Sequence, residues 1–447
     1  MFTTAYAARV YAELEAREPW EKEYLQAVKE VLESIEPVLA ENPALEQNAI
    51  LERLIEPDRQ IRFRVAWTDD AGALHVNRGF RFEFNSAIGP YKGGLRFHPS
   101  VNSSILKFLG FEQTFKNALT GLWMGGGKGG SDFDPHGRSD AEVMRFCQAF
   151  MSELYRHLGA NTDIPAGDIG VGAREVGYLF GQYRRLKNEF TGVFTGKGLD
   201  FGGSLGRTEA TGYGLCYYVH EVLCLLKHDS FVGKKVLVSG SGNVAIFAAE
   251  KATAMGATVL TMSDSSGYVL DPDGIDVELV KDIKLRRRAR ISQYAEQRPH
   301  ATFHAGRRPW EVPCDIALPC ATQNEIGEED AQALIAGGVQ IVAEGANMPT
   351  HSAAIDALRA AGVTFCPGKA SNAGGVAVSG LEMAQDAIRL QWTFEEVDER
   401  LQTIMKGIVA ESLAAADHYG LGEDLFNGAN IAGFKRVAQA MIDQGVF

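Results

Sequence analysis

The sequence predicts an α/β protein with two domains of different architecture. Residues 61–67, IRFRVAW, and residues 74–84, LHVNRGFRFEF, alternate apolar and polar side chains, which predicts an antiparallel hairpin. After about residue 200, short apolar strands alternate with helical segments, which predicts a doubly wound parallel sheet. The first half is therefore expected to be an α+β domain with a mixed sheet, and the second half a doubly wound α/β domain.

Two helices of the first half have recognisable ends. Residues 104–119, SILKFLGFEQTFKNAL, predict a helix capped by Ser103 or Ser104 and closed near Gly121. The tetrapeptide SDAE at 139–142 resembles a capping box, and it should open a helix that ends by Gly159.

The second half contains five segments that read as parallel strands. The stretch 234–267 reads strand, tight turn, helix, strand, and short apolar strands follow at 315–318, 339–343 and 363–366. The loop 201–214, FGGSLGRTEATGYG, is the expected boundary. We assign 1–200 to the first domain and 201–424 to the second. The helices after about residue 376 are expected to turn back, with 425–447 rejoining the first domain.

Composition excludes several classes of partner. The chain has 447 residues and a net charge of −13, which disfavours nucleic acid and anionic membranes as partners. No stretch approaches the roughly 20 apolar residues of a membrane helix, and the N-terminus resembles neither a signal peptide nor a transit peptide. The six cysteines form no C-x-x-C pair, so neither a metal site nor a disulfide framework is expected. We expect a cytoplasmic protein.

A glycine-rich turn in the second half predicts a dinucleotide site. The strand KKVLVS is followed by GSGNVA, with Gly240, Gly242 and Ala245 at the three fingerprint positions. The first glycine makes the turn and the second lets the backbone approach a pyrophosphate. The helix from Asn243 then presents its amide groups to that anion. The strand–turn–helix–strand context makes this a specific signal for a Rossmann-type domain.

The end of the next strand leaves the choice of coenzyme open. It reads SDSS, from Ser263 to Ser266. Asp264 is placed to bind the ribose 2′-hydroxyl of NAD, whereas Ser263 and the cations Lys284 and Arg290 of a following basic helix suit the 2′-phosphate of NADP.

A lysine among glycines raises a separate question. Lys128 stands in LWMGGGKGGSDFDP, 122–135, with glycines on both sides. The stretch is not a P-loop, because Leu122 and Gly129 stand where that motif needs a glycine and a hydroxyl residue. Taken alone, it would be a glycine turn with a solvated lysine. The alternative is that the glycines let ligands approach the chain closely.

Eight motifs in one order resemble a known family. They are YKGGLRFHPSVN, FLGFEQTFKNALTGLWMGGGKGGSDFDP, DIPAGDIGVGAREVGYLFG, EATGYG, GSGNVA, LPCATQNE, AEGANMPT and NAGGVAVSGLEM. Together they closely resemble the hexameric glutamate dehydrogenases of bacteria and fungi, and among these the NADP-dependent biosynthetic form. The resemblance covers essentially the whole chain. It implies a substrate domain and a coenzyme domain, and reversible conversion of 2-oxoglutarate and ammonia to L-glutamate.

The resemblance implies a substrate site for a dianion. Lys92 and Ser379 match the residues that hold the side-chain carboxylate. Gln113 and Lys116, which share one helix face, match those that hold the α-carboxylate. The resemblance also implies that Gly167 lies in this substrate site. Cations at both ends of the substrate suit its two charges.

The resemblance also names two catalytic residues. Lys128 matches the catalytic lysine, and a glycine-walled site near Lys92 and Lys116 should lower its pKa through desolvation and like charge. Such a lysine can act as a general base. Asp168, in PAGDIG, matches the second proton-transfer residue; by itself it would be a turn aspartate.

The remaining implied residues concern the coenzyme. Arg207 and Thr211 match the loop before the coenzyme domain, and Asn347 and Asn372 match residues near the nicotinamide and its ribose. We favour NADP because Ser263 to Ser265, followed by a basic helix, resemble the NADP-dependent members. A homohexamer is expected from the family alone.

Two other functions remain open. An amino-acid dehydrogenase for a branched or aromatic substrate lacks a cation for the far end of its substrate, so Lys92 with Ser379 argues against it. A catalytically silent nicotinamide-binding protein would not need both Lys128 and Asp168.

Overall fold

The chain folds into two compact units, which we describe from a computed structural model that covers residues 2–446. Unit 1 comprises the chain up to Arg207, Val376–Val397 and the chain from Asn430; unit 2 comprises Thr208–Gly375 and Asp398–Ala429. The first boundary thus lies at Arg207 instead of residue 200. Residues 376–397, expected in the coenzyme domain, group with unit 1, because ion pairs fasten this helical segment to the loop at Lys197.

Unit 1 contains five strands and seven helices within its first segment. The strands are β1 Arg59–Thr68, β2 Leu74–Asn85, β3 Tyr91–Phe97, β4 Gly126–Ser131 and β5 Asp163–Ala166. The helices are α1 Ala5–Arg17, α2 Lys22–Glu41, α3 Ala44–Gln47, α4 Ile50–Leu54, α5 Ser103–Leu119, α6 Asp140–Leu154 and α7 Ala173–Lys187.

A mixed sheet in the order β1-β2-β4-β3-β5 organises unit 1. β1 and β2 form the predicted antiparallel hairpin, and β4 pairs antiparallel with β2 and parallel with β3. Val65 and Trp67 point to the face covered by α6 and α7, whereas Phe80 and Phe82 point to the opposite face, toward Leu106 of α5. The antiparallel pairing confirms the predicted hairpin; burial alternates in β1 and the first half of β2, whereas residues 79–85 are buried on both faces of the sheet.

Unit 2 has a seven-stranded sheet with helices between the strands. Its strands are β6 Lys235–Val238, β7 Thr258–Asp264, β8 Gly267–Leu270, β9 Thr302–Ala305, β10 Ile316–Leu318, β11 Ile341–Ala343 and β12 Thr364–Cys366. Its helices are α8 Ala210–Val222, α9 Asn243–Ala254, α10 Val277–Lys281, α11 Glu328–Ala336, α12 Ser352–Ala360 and α13 Gly368–Ser371. Three further helices have residues in both units: α14 Gly374–Ile388, α15 Phe394–His418 and α16 Leu425–Asp443.

The unit 2 sheet has the order β12-β11-β10-β6-β7-β8-β9. The five strands from β12 to β7 are parallel, as predicted, and β8 and β9 add an antiparallel pair at one edge. The chain passes from β6 through α9 to β7 on one side and later returns to β10 on the other side. The strand order therefore reverses between β6 and β10, which is where ligands bind in open α/β sheets.

Three local predictions meet a structural test. Ser139 and Glu142 form the predicted capping box. The cap of α5 is Asn102, not Ser103 or Ser104, because the Asn102 side chain accepts the Ile105 amide at 3.0 Å. The basic run 286–290 does not continue a helix: a π-helical turn ends at Arg286, and Arg288 has a positive φ of 52°.

Among residues 2–446, no helix is long and apolar enough to cross a membrane.

Candidate active site

A lysine and an aspartate form an ion pair on the central strand of the unit 1 sheet. Lys128 Nζ lies 3.1 Å from Asp168 Oδ2, and the same oxygen accepts a hydrogen bond from Arg96 Nε at 2.9 Å. The side chains of Lys128 and Asp168 are only 6% and 14% exposed. The pair therefore interacts in a largely water-excluded setting, where charge interactions are strong.

Alternation along β3 explains how Asp168 reaches this position. Lys92, Gly94 and Arg96 share one face of the strand, and the register places Lys128 beside Gly94 on that face. A Cβ at Gly94 would lie 2.9 Å from Asp168 Cβ and 2.7 Å from the carbonyl oxygen of Gly167. Gly94 therefore leaves the space that the Gly167–Asp168 segment fills.

Burial and neighbouring charges set the protonation of the pair. Burial lowers the pKa of Lys128, and the positive charge of Arg96 lowers it further, while Asp168 opposes both effects. Burial alone would raise the pKa of Asp168, but Lys128 and Arg96 outweigh it and lower the pKa to about 2. At neutral pH the aspartate is therefore ionised, and the lysine is easier to deprotonate than a solvated one.

The glycines around Lys128 answer a packing need of the protein itself. Residues 126–131 form β4, not a turn, and all six are buried. A Cβ at Gly126 would meet Thr114 Oγ1 of α5 at 2.0 Å, and one at Gly129 would meet the Phe80 carbonyl at 2.7 Å. The expectation that these glycines admit ligands is thus wrong for these two positions, because α5 and the neighbouring strands occupy the space.

Helix α5 brings a second lysine to the same group of charges. Burial lowers the pKa of Lys116 to about 8, and the positive charge of Lys128 contributes in the same direction. Gln113, one turn earlier, donates to Asn117 Oδ1 at 2.7 Å, and Asn117 in turn donates to the Lys92 carbonyl at 3.0 Å. Gln113 and Lys116 therefore lie on the helix that packs beside the Lys128 strand.

Lys92 is buried without a carboxylate in direct contact. Its Nζ donates to the Ile164 carbonyl at 3.1 Å and to Thr195 Oγ1 at 2.8 Å, and the residue is 1% exposed. Burial lowers its pKa well below the usual range. A buried ammonium held only by neutral groups is a good receptor for an incoming carboxylate.

Ser379 lies in α14 and is buried, and its hydroxyl accepts a hydrogen bond from Arg207 Nε at 3.1 Å. Arg207, which the family resemblance assigns to the coenzyme, belongs to unit 1 and contacts Ser379, which the same resemblance assigns to the substrate. Burial lowers the pKa of Arg207, whereas the negative charge of Glu382 raises it.

The dinucleotide turn of unit 2 has the expected form. Gly240 has a φ of 85° and Gly242 precedes α9, with no atom within 4 Å of where its Cβ would stand. Asn243 is the first residue of the helix and is exposed. Ser263, predicted to face the coenzyme, is buried, and its hydroxyl accepts the Gly240 amide at 2.7 Å. Ser263 therefore braces the turn.

The acceptor positions of the Asp264 carboxylate are all filled by hydrogen-bond donors from unit 2. Its Oδ1 accepts bonds from the amide and the hydroxyl of Ser266, and its Oδ2 accepts bonds from Lys284 Nζ at 2.8 Å and the Ile291 amide at 2.9 Å. Burial opposes ionisation, but these hydrogen bonds outweigh it and hold the pKa of Asp264 well below its usual range. A carboxylate offers about four acceptor positions, and here all are filled.

The other predicted coenzyme residues lie at three places in unit 2. Asn372 Nδ2 donates to Asn347 Oδ1 at 3.1 Å, so the structure brings these two together. Arg290 Nη1 donates to Ser265 Oγ at 2.7 Å beside Asp264. Thr211 is the second residue of α8 and is partly buried.

Sequence reasoning missed two residues of the unit 1 site. Arg96 lies two and four residues from Gly94 and Lys92 on one strand face, so strand alternation could have found it. Thr195 contacts Lys92 from 103 positions away, and no local pattern signals that contact.

A domain carrying a buried lysine–aspartate pair, joined to a dinucleotide-binding domain, defines a two-domain dehydrogenase. Residues 202–445 match the model of the glutamate/leucine/phenylalanine/valine dehydrogenases, and residues 57–185 match the dimerisation domain of the same family. The chain belongs to this family.

Relatives resemble this chain over nearly its full length. An NADP-specific glutamate dehydrogenase of Haemophilus influenzae is 62% identical, over 96% of each chain. An NAD-specific glutamate dehydrogenase of Bacteroides fragilis is 57% identical, over 98% of this chain and 99% of the relative. The crystal structure of a Plasmodium falciparum glutamate dehydrogenase matches with a TM-score of 0.97 at 51% identity, over 99% of this chain and 95% of that one.

Proposed function

We propose that this protein is an NADP-dependent glutamate dehydrogenase that converts 2-oxoglutarate and ammonia to L-glutamate reversibly. The observation that carries the proposal is the buried Lys128–Asp168 pair on a sheet that also presents the buried cation Lys92. The relative from Haemophilus influenzae, at 62% identity, supports the same reaction.

Two sets of residues would hold the substrate by its two carboxylates. Lys116 and Gln113 lie beside Lys128 and bind the α-carboxylate. Lys92 and Ser379 bind the side-chain carboxylate, with Arg207 hydrogen-bonded to the Ser379 hydroxyl. A branched apolar substrate would leave Lys92 buried and unpaired, which is costly. This favours a dicarboxylate over the substrates of leucine-type relatives.

Lys128 and Asp168 move the protons. When L-glutamate is oxidised, the ionised Asp168 accepts a proton from its α-ammonium group and so frees the amino group. In reductive amination Asp168 returns that proton. Lys128 in its neutral form activates the water that attacks the iminium carbon. Arg96 holds the Asp168 carboxylate in place. NADPH, when bound, supplies the hydride for reduction of the iminium.

Gly240, Gly242 and the start of α9 offer a pyrophosphate cradle that suits either dinucleotide. Two further observations favour NADP over NAD. Asp264 has no acceptor position left for a ribose 2′-hydroxyl. Arg290 and Ser265 present a guanidinium and a hydroxyl at the same strand end, which suit a 2′-phosphate.

Assembly and location complete the proposal. We assign the protein a homohexameric state in the cytoplasm. The match of residues 57–185 to a dimerisation domain supports an oligomer. The six free cysteines support a reducing compartment.

A panel of 2-oxo acids with ammonium and NADPH tests the substrate. We expect kcat/KM for 2-oxoglutarate to exceed that for 2-oxovalerate, its monocarboxylate counterpart, by at least tenfold. Faster turnover of 4-methyl-2-oxopentanoate would instead favour a branched-chain dehydrogenase. Binding of NADPH with no turnover of any acid would favour a silent nucleotide-binding protein.

A further inference from the structure

A buried ionic cluster next to Lys92 has no part in the chemistry described above. Lys197 Nζ lies 3.0 Å from Glu382 Oε1 and 2.7 Å from Asp386 Oδ2. The side chains of Lys197 and Glu382 are 1% and 0% exposed. Buried ion pairs carry a large desolvation cost, so such a cluster is weak evidence of a role in stability alone.

Glu382 fastens together the two segments that carry substrate-site hydroxyls. Its carboxylate accepts the amides of Gly196 at 2.9 Å and Lys197 at 3.3 Å, directly after Thr195, which contacts Lys92. Ser379 lies three residues before Glu382 on α14, so both side chains lie on one side of the helix.

The charge of Glu382 also acts on the substrate-site cations. Burial lowers the pKa of Lys92 and of Arg207, and the negative charge of Glu382 is the strongest influence that opposes this in both. Three other cations face Lys92, namely Arg207, Arg81 and Lys197, and Arg81 is paired with Asp163 at 2.7 Å. Asp386 is the second anion facing Lys92.

The charges near Lys92 leave one positive charge unbalanced, which one carboxylate would neutralise. Lys92, Lys197 and Arg207 carry three positive charges when protonated, and Glu382 and Asp386 carry two negative charges. The remaining positive charge matches the single charge at the far end of a dicarboxylic substrate. Without Glu382, Lys92 would lose the counter-charge that favours its protonated form.

We propose that Glu382 is a positioning residue that determines the selectivity of this enzyme for dicarboxylic 2-oxo acids without touching the substrate. It does so by keeping Lys92 charged and by holding the Thr195 loop against α14. The inference rests on the proposed function, since it presumes that Lys92 receives the side-chain carboxylate.

The test compares Glu382→Gln with the wild type on two substrates. The amide keeps the shape and one acceptor oxygen but loses the charge. We expect the ratio of kcat/KM for 2-oxoglutarate to that for 2-oxovalerate to fall at least tenfold, through a higher KM for 2-oxoglutarate with little change in kcat. The ratio should recover as the pH is lowered from about 9 to 7, because protonation of Lys92 is restored. This range stays above the pKa of Asp386, which burial raises to about 6. Using the ratio cancels the pH dependence shared by both reactions.

Two further variants keep the test decisive. Glu142→Gln removes a buried carboxylate of the α6 capping box in the same unit, and it should leave the ratio unchanged. Asp386→Asn should lower the ratio in the same direction, and it carries the test if Glu382→Gln does not fold. An unchanged ratio, or an equal loss of activity on both oxo acids, would overturn the inference. A wild type without selectivity for 2-oxoglutarate would instead overturn the proposed function.

Discussion

Lys128 Nζ and Asp168 Oδ2 lie 3.1 Å apart, although the two residues are 40 positions apart in the chain and come from different segments of unit 1. Lys128 stands on β4, and Asp168 follows β5 and lies over Gly94 of β3. The contact thus depends on the strand order β4-β3-β5 and on a glycine at position 94. The sheet itself places this ion pair.

Replacement of Lys128 should remove catalysis and spare coenzyme binding. We expect Lys128→Ala to lower kcat by about 10²- to 10⁴-fold, the usual contribution of a general acid or base. The affinity for NADPH, followed by its fluorescence, should stay within twofold. Lys22→Ala, at an exposed position of α2, is the matched control. Activity equal to the wild type would contradict the assignment of Lys128.

Asp168 should contribute acid-sensitive stability. Its folded pKa of about 2 lies below the unfolded value of about 3.9, so the native state favours the ionised form. The contribution, about 2 kcal/mol, is present above pH 5 and is lost as the pH falls toward 2. The difference in urea midpoint between wild type and Asp168→Asn should therefore narrow between pH 6 and pH 3. A difference in urea midpoint that widens as the pH falls would contradict this prediction.

Lys116 should make binding of the α-carboxylate sensitive to alkaline pH. Its pKa of about 8 means that the charged form, which binds a carboxylate, is lost above that pH. The dissociation constant of 2-oxovalerate, which has only an α-carboxylate, should rise up to tenfold per pH unit above about 8. Lys116→Met should bind 2-oxovalerate weakly, and its dissociation constant should show no change of slope near pH 8. A change of slope that persists in Lys116→Met must come from another group.

Arg290 should discriminate between the two coenzymes. Loss of a charge-assisted hydrogen bond to the 2′-phosphate typically costs about 1.5–3 kcal/mol, so Arg290→Ala should raise KM for NADPH by roughly tenfold or more. KM for NADH should change by less than twofold. Arg400→Ala, exposed on α15, serves as the control. Equal effects on both coenzymes would place Arg290 away from the 2′-position.

A methyl group at Gly126 should disturb the fold. Its Cβ would lie 2.0 Å from Thr114 Oγ1, so Gly126→Ala must push α5 away from β4, and overpacking of this kind costs about 1–3 kcal/mol. We expect a lower urea midpoint and a large loss of activity, because α5 carries Lys116. Gly181→Ala, where no atom lies within 4 Å, should be neutral or stabilise α7. Equal stability of both variants would refute the packing role of Gly126.

Local sequence signals predicted the elements and the coenzyme turn well. Alternation predicted β1 and β2, the serine–glutamate spacing predicted the α6 cap, and the glycine spacing predicted the turn before α9. Each of these depends on residues within a few positions of one another, where spacing fixes geometry.

Contacts between residues far apart in the chain could not be predicted from such local spacing. Arg207 bonds to Ser379 from 172 positions away, and Asp264 is occupied by Lys284 and Ile291, 20 and 27 positions further on. The sequence could not show that the Asp264 carboxylate is hydrogen-bonded within unit 2, because those donors come from outside its own strand. The space at Gly126 and Gly129 was equally beyond local prediction, since α5 and the neighbouring strands determine it.

The most direct measurement follows absorbance at 340 nm with 2-oxoglutarate, ammonium and either NADPH or NADH, with each component omitted in turn. We expect rapid loss of NADPH that requires both 2-oxoglutarate and ammonium, and much slower loss of NADH. Loss of NADPH without ammonium, or no loss with all components present, would contradict the assignment of Lys128 and Asp168 to reductive amination.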